Sequence, residues 1–509
     1  MDFDLVIIGA GINGAGIARD AAMRGLKVLL LDKGDVGGGT TSWSTRLIHG
    51  GLRYLEHGEI GLVRESLRER EVLLRIAPHL VKPLPILIPI YKGARRGKST
   101  IRAGMFAYDV LSIDKSLKRH RMLSKSEAIE LAPALSTSDL NGAALFYDAQ
   151  VEFPERLVVE NVLNAQCNDA AVMTYARVIR LRLEGKRVEA VEFIDSSGSA
   201  HAARPLFVVN AAGPWIDQVL QNGSAPGERL IGGTKGSHIV VKPFPLNDAI
   251  YVEAQSDGRP FFIIPWNDKI LIGTTDIRFD GDPDLVAAEN SEIEYLLKEA
   301  NRVLPAAQLT RDDILYTYSG VRPLPFTAEK DEQSITRRHF IREHPGVSNL
   351  VSIVGGKLTT YRNLAEQCVD LLFEKLGRQN PGCRTAEVRL PGADGLAFTD
   401  DPLQQRLQRI YGSRASNVLA LADTDERLAE PLNEAGNAIA AEILFGFKSE
   451  FASTLGDVLM RRTMLGLEAH LGIGVDERAA KIAKEFLGWT DERAEDEVRS
   501  YRETIKKLL

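Results

Sequence analysis

The chain opens with an apolar run, Leu5-Val-Ile-Ile8, that stops at Gly9. Four consecutive apolar residues bounded by a turn read as a buried strand. The turn is glycine-rich, Gly9-Ala-Gly11-Ile-Asn-Gly14, and a helical pattern continues from it to about Arg24, with Gly25 as the stop. A second apolar run, Val28-Leu-Leu-Leu31, ends at Asp32. Strand, helix and strand within about thirty residues predict parallel strands joined by a right-handed crossover, the start of a doubly wound α/β domain. From Glu59 to Ile76 the apolar positions Ile60, Val63, Leu67 and Leu74 recur among charges near a helical period, which predicts an amphipathic helix on that sheet.

Further along the pattern changes. Residues 82–91 carry three prolines among apolar residues, which excludes a helix and predicts an extended or edge segment. Runs around 171–184, 187–195 and 200–210, separated by Gly185-Lys186 and Ser196-Ser-Gly198, predict a meander. Segments 236–243, 249–254, 260–266 and 269–274 predict a second, antiparallel sheet, and beyond Arg389 the pattern is mostly helical. The expected organisation is α/β: a discontinuous Rossmann-like cofactor domain (1–80, 145–232 and 315–385), an interleaved antiparallel-sheet substrate or cap domain (81–144 and 233–314), and an α-helical C-terminal domain (386–509).

Composition alters this picture in one place. The 509 residues carry 63 Lys plus Arg against 69 Asp plus Glu, a net charge of −6. That sum hides an asymmetry: residues 92–125 hold ten Lys or Arg and only two acids, Asp109 and Asp114. The basic stretch has Ile101, Met105, Phe106, Tyr108, Val110 and Leu111 interleaved and the apolar segment 84–91 beside it, a pattern suited to a peripheral membrane contact. No recognition motif accompanies the charge, so nucleic acid is not expected as a partner. The three cysteines, Cys167, Cys368 and Cys383, form no CxxC pair and indicate neither a metal site nor disulfide stapling. The opening lacks the basic flank of a signal peptide, and no stretch approaches the ~18 apolar residues of a spanning helix. The protein is therefore expected in the cytoplasm, held peripherally at the inner face of the cell membrane.

The chemistry begins at the glycine-rich turn. Placed directly after a strand and before a helix, Gly9, Gly11 and Gly14 give the tight turn, the close backbone approach and the helix packing that a pyrophosphate site needs. Asp32, eighteen residues after Gly14, stands where an acid takes the ribose hydroxyls. The position of this unit at the N-terminus, the meander downstream and the strand end Val209-Asn-Ala-Ala212-Gly213 favour FAD over NAD, with Ala212 and Gly213 as cofactor contacts.

Five further runs carry a resemblance. Thr40-Thr-Ser-Trp-Ser-Thr-Arg-Leu-Ile-His-Gly-Gly-Leu-Arg-Tyr-Leu-Glu56, Thr234-Lys-Gly-Ser-His-Ile-Val-Val241, Ile272-Gly-Thr-Thr-Asp276, Thr317-Tyr-Ser-Gly-Val-Arg-Pro-Leu324 and Gly355-Gly-Lys-Leu-Thr-Thr-Tyr-Arg362 together resemble the FAD-dependent glycerol-3-phosphate dehydrogenases. The resemblance implies oxidation of sn-glycerol 3-phosphate to dihydroxyacetone phosphate, with electrons passed through FAD to a membrane quinone. It also implies that Arg53, Arg322 and Arg337 line the active site, Arg53 and Arg337 at the substrate phosphate, with Tyr54 and Thr275 as hydroxyl donors.

A hydride acceptor gains negative charge, and the turn Gly355-Gly356-Lys357-Leu358-Thr359 before a helix start suits that demand through amides, a cation and the helix dipole. Thr40, Thr41, Ser42, Ser44 and Thr45 offer hydroxyls to the pyrophosphate or flavin edge. Loss of the C2 hydroxyl proton calls for an acceptor. His238 is the first candidate, His49 the second unless it is a flavin contact, and Arg322 with Lys357 could instead stabilise an alkoxide with no single base. Gly37-Gly38-Gly39 precede this run and Trp43 lies inside it, where smaller residues are expected in many relatives. Competing readings are a glycerol-3-phosphate oxidase that uses oxygen, an amino-acid oxidase of similar fold, and a membrane-associated flavin sensor. The helical extension is open to dimerisation, as a homodimer, to membrane contact or to regulation.

Overall fold

The first apolar run forms the strand Asp2–Ile8 at the centre of an eight-stranded sheet. The computed structural model describes residues 2–55, 58–222, 229–327, 338–396 and 399–509. Parallel neighbours flank the first strand on both sides: Val347–Val354 and Ala200–Asn210 on one, Val28–Leu31 and Ala171–Met173 on the other. The helix Ile12–Met23 follows the glycine-rich turn and ends before Gly25, whose φ of 82° is one that L side chains rarely adopt. Helices Pro154–Gln166 and Tyr361–Leu376 pack against it. All these strands point the same way, so Ile8, Leu31, Asn210 and Val354 end together, and a ligand crevice in such a sheet lies beyond those carboxyl ends.

The expected meander is present in a narrower form. Arg177–Glu184, Arg187–Ile194 and the first part of Ala200–Asn210 pair antiparallel. The start of the first run belongs elsewhere: Ala171–Met173 pairs parallel with Val28–Leu31, and Tyr175, at φ 54°, breaks the chain between the two strands. Ile60–Ile76 is the expected amphipathic helix. Val63 and Leu67 are buried as the pattern requires, but Ile60, the first residue of the helix, is 55% exposed.

The second sheet has ten strands and draws on more of the chain than the pattern suggested. Leu140–Val151 and Ile314–Arg322 both belong to it, so the change-overs expected at 145 and 315 fall inside strands. The proline-rich segment, Val81–Tyr91, is extended but not at an edge: it lies between Leu140–Val151 and Ala249–Glu253. Pro83, Pro85 and Pro89 are two or four residues apart, so their missing N–H groups fall on one side of the strand, which still pairs with Leu140–Val151 over most of its length.

One face of this sheet carries the helix Asn290–Val303; the other, with Trp266, Leu271, Tyr316 and Tyr318, forms one continuous core with Leu459, Leu465 and Tyr501 of the helical C-terminal domain. That domain is thus fused to the ten-stranded sheet through shared apolar packing.

Candidate active site

The cofactor side of the crevice is made of backbone. A Cβ on Gly14 would sit 1.8 Å from the Gly9 carbonyl oxygen, and one on Gly9, at φ 104°, would sit 2.6 Å from that of Ala211. The chain can therefore turn against the neighbouring strand end only with glycine at both positions. Asp32 accepts from the Ala10 N–H at 2.6 Å and the Gly34 N–H at 2.9 Å, which fixes its carboxylate at the end of the second strand. Asn13, inside the motif, reaches toward the Gly355 carbonyl at 3.5 Å, and its buried Oδ1 has no partner among the described residues. Ala212 donates its N–H to Asn210 Oδ1, and Gly213 turns at φ 59°. Crowded glycines, a fixed acid and an orphaned acceptor beside the strand ends suit a dinucleotide whose amide and hydroxyl groups complete the set.

The hydroxyl run bridges the two sheets. Thr41 Oγ1 accepts from the Ile12 N–H at 3.2 Å, Thr40 donates to the Val321 carbonyl at 2.7 Å, and Ser42 donates to the Gly37 carbonyl at 2.7 Å. The Ser44 carbonyl accepts from Tyr318 OH at 3.0 Å, and Thr45 Oγ1 lies 2.9 Å from His238 Nε2. These hydroxyls hold the loop and the histidine, a use that the run of Ser and Thr did not reveal.

His238 stands on the strand Thr234–Val241, stacked on Tyr318 at 4.7 Å. Its Nδ1 is buried with no partner among the described residues. Burial first, then Arg322 and Arg46, hold the imidazole well below its ordinary 6.5, so it is neutral. His49 is held down to about 4, by burial, Lys357 and Arg70 against the pull of Asp148, and its backbone N–H donates to Thr359 Oγ1 at 3.1 Å.

Arg322 closes the strand Ile314–Arg322. Its Nη1 donates to Asp276 Oδ1 at 3.0 Å and its Nη2 to Thr274 Oγ1 at 2.9 Å. Gly236 makes room for it: a Cβ there would lie 2.1 Å from Nη2. The residue after Arg322, Pro323, accepts the Gly355 N–H at 2.8 Å, which joins the arginine strand to the Gly355–Thr359 turn. In that turn Lys357 Nζ sits 3.8 Å above the Tyr54 ring, and Leu358 packs on the first core. The helix that follows begins at Tyr361, after a short turn Leu358–Thr360.

Thr275 is buried, and its hydroxyl donates to Glu292 Oε1 at 2.6 Å while accepting the Ser237 N–H at 2.8 Å. Glu292 also accepts from Ser237 Oγ at 2.8 Å and pairs with Lys235 at 2.8 Å. Thr275 thus braces the strand that carries His238. Of Arg53 only the backbone, in the turn Leu52–Leu55, is described, and Arg337 lies outside the described residues. Residues that sequence reasoning missed are Asp276, Asn13, Tyr318 and Glu292. The first three stand inside the motifs, Asn13 in Gly9–Gly14, Asp276 in Ile272–Asp276 and Tyr318 in Thr317–Leu324, and polar side chains in those glycine-containing runs were the available signal.

Beside the Leu52–Leu55 turn opens a cleft of about 990 Å³. Leu55, Ile88, Met105, Tyr251, Arg95 and Arg96 are among the residues that line it. Its roof, the helix Lys98–Leu111, turns Phe106 (66%) and Val110 (53%) to solvent, with Ile113 (76%) just beyond. Among the described residues no helix is long and apolar enough to cross a membrane, and no group of His, Cys, Asp and Glu could hold a metal ion.

Comparison with known proteins agrees with this geometry. Residues 4–371 match the family model described as FAD dependent oxidoreductase, and residues 383–494 match the C-terminal domain of alpha-glycerophosphate oxidase. The chain is 46% identical to a glycerol-3-phosphate dehydrogenase of Synechocystis sp., over 99% of this chain and 96% of that protein. It is 36% identical to glycerol-3-phosphate dehydrogenase 2 of Mycobacterium tuberculosis, over 99% of this chain and 88% of the relative. The crystal structure of the glycerol-3-phosphate dehydrogenase from Bacillus halodurans complexed with FAD superposes with a TM-score of 0.79 at 29% identity, covering all of this chain and 95% of that one.

Proposed function

Because the chain belongs to the FAD-dependent glycerol-3-phosphate dehydrogenases, with FAD as its cofactor, we propose that it oxidises sn-glycerol 3-phosphate to dihydroxyacetone phosphate and passes the electrons to a membrane quinone. The observation that carries this reading is that His238 and Arg322 stand on paired strands beside the backbone-built crevice, and that the turn bearing Lys357 is joined to the arginine strand by the Gly355 to Pro323 hydrogen bond. The residues present fit the cofactor: glycines 9 and 14 leave its backbone approach open, and Asp32 and Asn13 offer acceptors along it.

FAD, when bound, supplies the acceptor for the hydride leaving C2 of the substrate. The chain handles the proton and the charge. A neutral His238 that donates Nε2–H to Thr45 leaves Nδ1 as the lone pair that takes the C2 hydroxyl proton. Arg322 and Lys357 supply positive charge for the phosphate or for the developing oxyanion. Asp276 and Thr274 hold the Arg322 guanidinium in one plane, and Tyr54 seats Lys357. Arg53 and Arg337 are assigned to the phosphate by the family resemblance.

The quinone reading is supported by the 990 Å³ cleft that adjoins the Tyr54 turn and by the exposed Phe106, Val110 and Ile113 on a basic segment. Such a face suits an anionic membrane surface, each basic contact contributing about 1 kcal/mol. Oxygen is the second reading, because the C-terminal domain matches the model described for alpha-glycerophosphate oxidase. Anaerobic mixing with glycerol 3-phosphate should bleach the flavin band; a yellow protein that stays yellow would overturn the activity. Reoxidation then separates the acceptors: quinone reduction without peroxide is the expected result, and stoichiometric peroxide would replace quinone by oxygen.

A further inference from the structure

Between Asp32 and Arg46 the chain has no helix or strand, yet it runs along the cofactor face. Gly37 N–H donates to the Ala10 carbonyl, Thr41 receives the Ile12 N–H, and Thr45 holds His238. Irregular chain in such a place needs anchors, and both ends have one. At the far end Arg46, fully buried, donates Nη1 and Nη2 to the two carboxylate oxygens of Glu155 at 3.0 Å each, and Nη2 also to the Ser42 carbonyl. At the near end Asp35, also buried, lies in the grip of the C-terminal domain. Arg462 donates Nη1 to Oδ2 at 2.8 Å and Nη2 to Oδ1 at 2.6 Å, and Arg461 Nε reaches Oδ2 at 2.5 Å.

The two anchors are joined behind the loop. Arg462 Nε donates to the Glu450 carbonyl, and the Glu450 carboxylate takes both Nη atoms of Arg156 at 2.6 and 2.7 Å. Arg156 follows Glu155 on the helix Pro154–Gln166. Arg461 is itself held by Asp457, which accepts from Tyr175 OH at 2.6 Å, and the Tyr175 N–H donates to the Gly34 carbonyl. Buried ion pairs contribute little net stability, because desolvation offsets their attraction, but they define one geometry sharply.

We propose that the helical C-terminal domain is a cofactor-retaining clamp, in which Arg461 and Arg462 grip Asp35 and so press the 33–46 loop onto bound FAD. Asp35 is a positioning residue, acting through the loop. The proposal rests on the FAD site and is independent of the substrate, the acceptor and the membrane.

The test is FAD release from the holoenzyme, followed by the rise of flavin fluorescence on dilution below the unfolding temperature, with the thermal midpoint measured on the same samples. Asp35→Asn keeps shape and removes the charge. It should speed release about tenfold, equivalent to about 1.4 kcal/mol, while KM for glycerol 3-phosphate at saturating FAD stays within twofold. Arg461→Met leaves the two Arg462 bonds in place and should give a smaller acceleration, so the clamp is testable even if Asp35→Asn does not fold. Asp476→Asn is the control, because it weakens a pair between buried Asp476 and Arg502 that lies within the C-terminal domain and makes no bond to Arg461, Arg462 or the loop among the described residues. It should lower the midpoint without speeding release. Release unchanged in Asp35→Asn and Arg461→Met, or accelerated equally in Asp476→Asn, would overturn the proposal. In every variant the retained FAD should still bleach with glycerol 3-phosphate, so failure of the clamp and failure of the assigned reaction give different results.

Discussion

The two walls of the crevice are built from different materials. The side proposed for the cofactor is mostly backbone, with the spaces left by glycines 9 and 14; the side proposed for the substrate carries the side chains of His238, Arg322 and Lys357, each set by another side chain. A backbone wall fails as a unit, because an added Cβ displaces the chain itself. A side-chain wall fails piecewise, because each group has its own partner. The first kind of damage should cost the cofactor, the second only the chemistry.

The largest expected effect comes from breaking the backbone wall. Gly14→Ala places a methyl 1.8 Å from the Gly9 carbonyl oxygen and should yield protein without flavin absorbance; a fully yellow variant would contradict the comparison. Arg322→Ala should keep FAD and lower kcat by about a hundredfold or more, with Asp276→Asn giving a loss of about tenfold because the guanidinium survives without its partner. Loss of FAD from either would show that the walls are not separable.

A smaller effect concerns protons. Since burial, Arg322 and Arg46 hold His238 well below 6.5, kcat/KM should show no acid limb near pH 6.5 and should turn down only at distinctly lower pH. A limb at 6.5 would remove His238 as the base. Stability should follow the same sense. His49 is held down to about 4 and His79, by burial and then Arg156, to about 3, so both stay neutral in the folded chain while the unfolded chain protonates them near 6.5. Their contribution is complete above pH 6.5 and is lost as the pH falls from there toward 3. His79→Asn should flatten the dependence of Tm on pH across that window.

The smallest effect on catalysis is expected far from both walls: Phe106→Asp with Val110→Asp should leave turnover with a soluble acceptor unchanged while vesicle retention falls about tenfold. Equal retention would detach the cap helix from the membrane reading.

Legibility in the sequence tracked the same division. The Asp2–Ile8 strand, the turn, the helix and Asp32 were readable because consecutive residues make the whole unit. The proline-rich Val81–Tyr91 was legible as extended, but whether it stood at an edge was not, because proline spacing reports which side of a strand lacks donors and only the neighbours decide where the strand lies. Thr275 was expected to offer its hydroxyl to substrate. In the structure that hydroxyl is engaged by Glu292 and Ser237, partners 17 and 38 residues away in sequence.

What the sequence determined alone was the set of local conformations and the chemistry they permit: a glycine turn that admits a pyrophosphate, a strand of apolar residues, an amphipathic helix. Tertiary structure decided which distant groups share a field. Thr45 meets His238 across 193 residues, and Asp35 meets Arg462 across 427. The reason is physical: backbone geometry is set by neighbours in the chain, whereas the orientation and charge state of a buried side chain are set by whatever packing brings beside it.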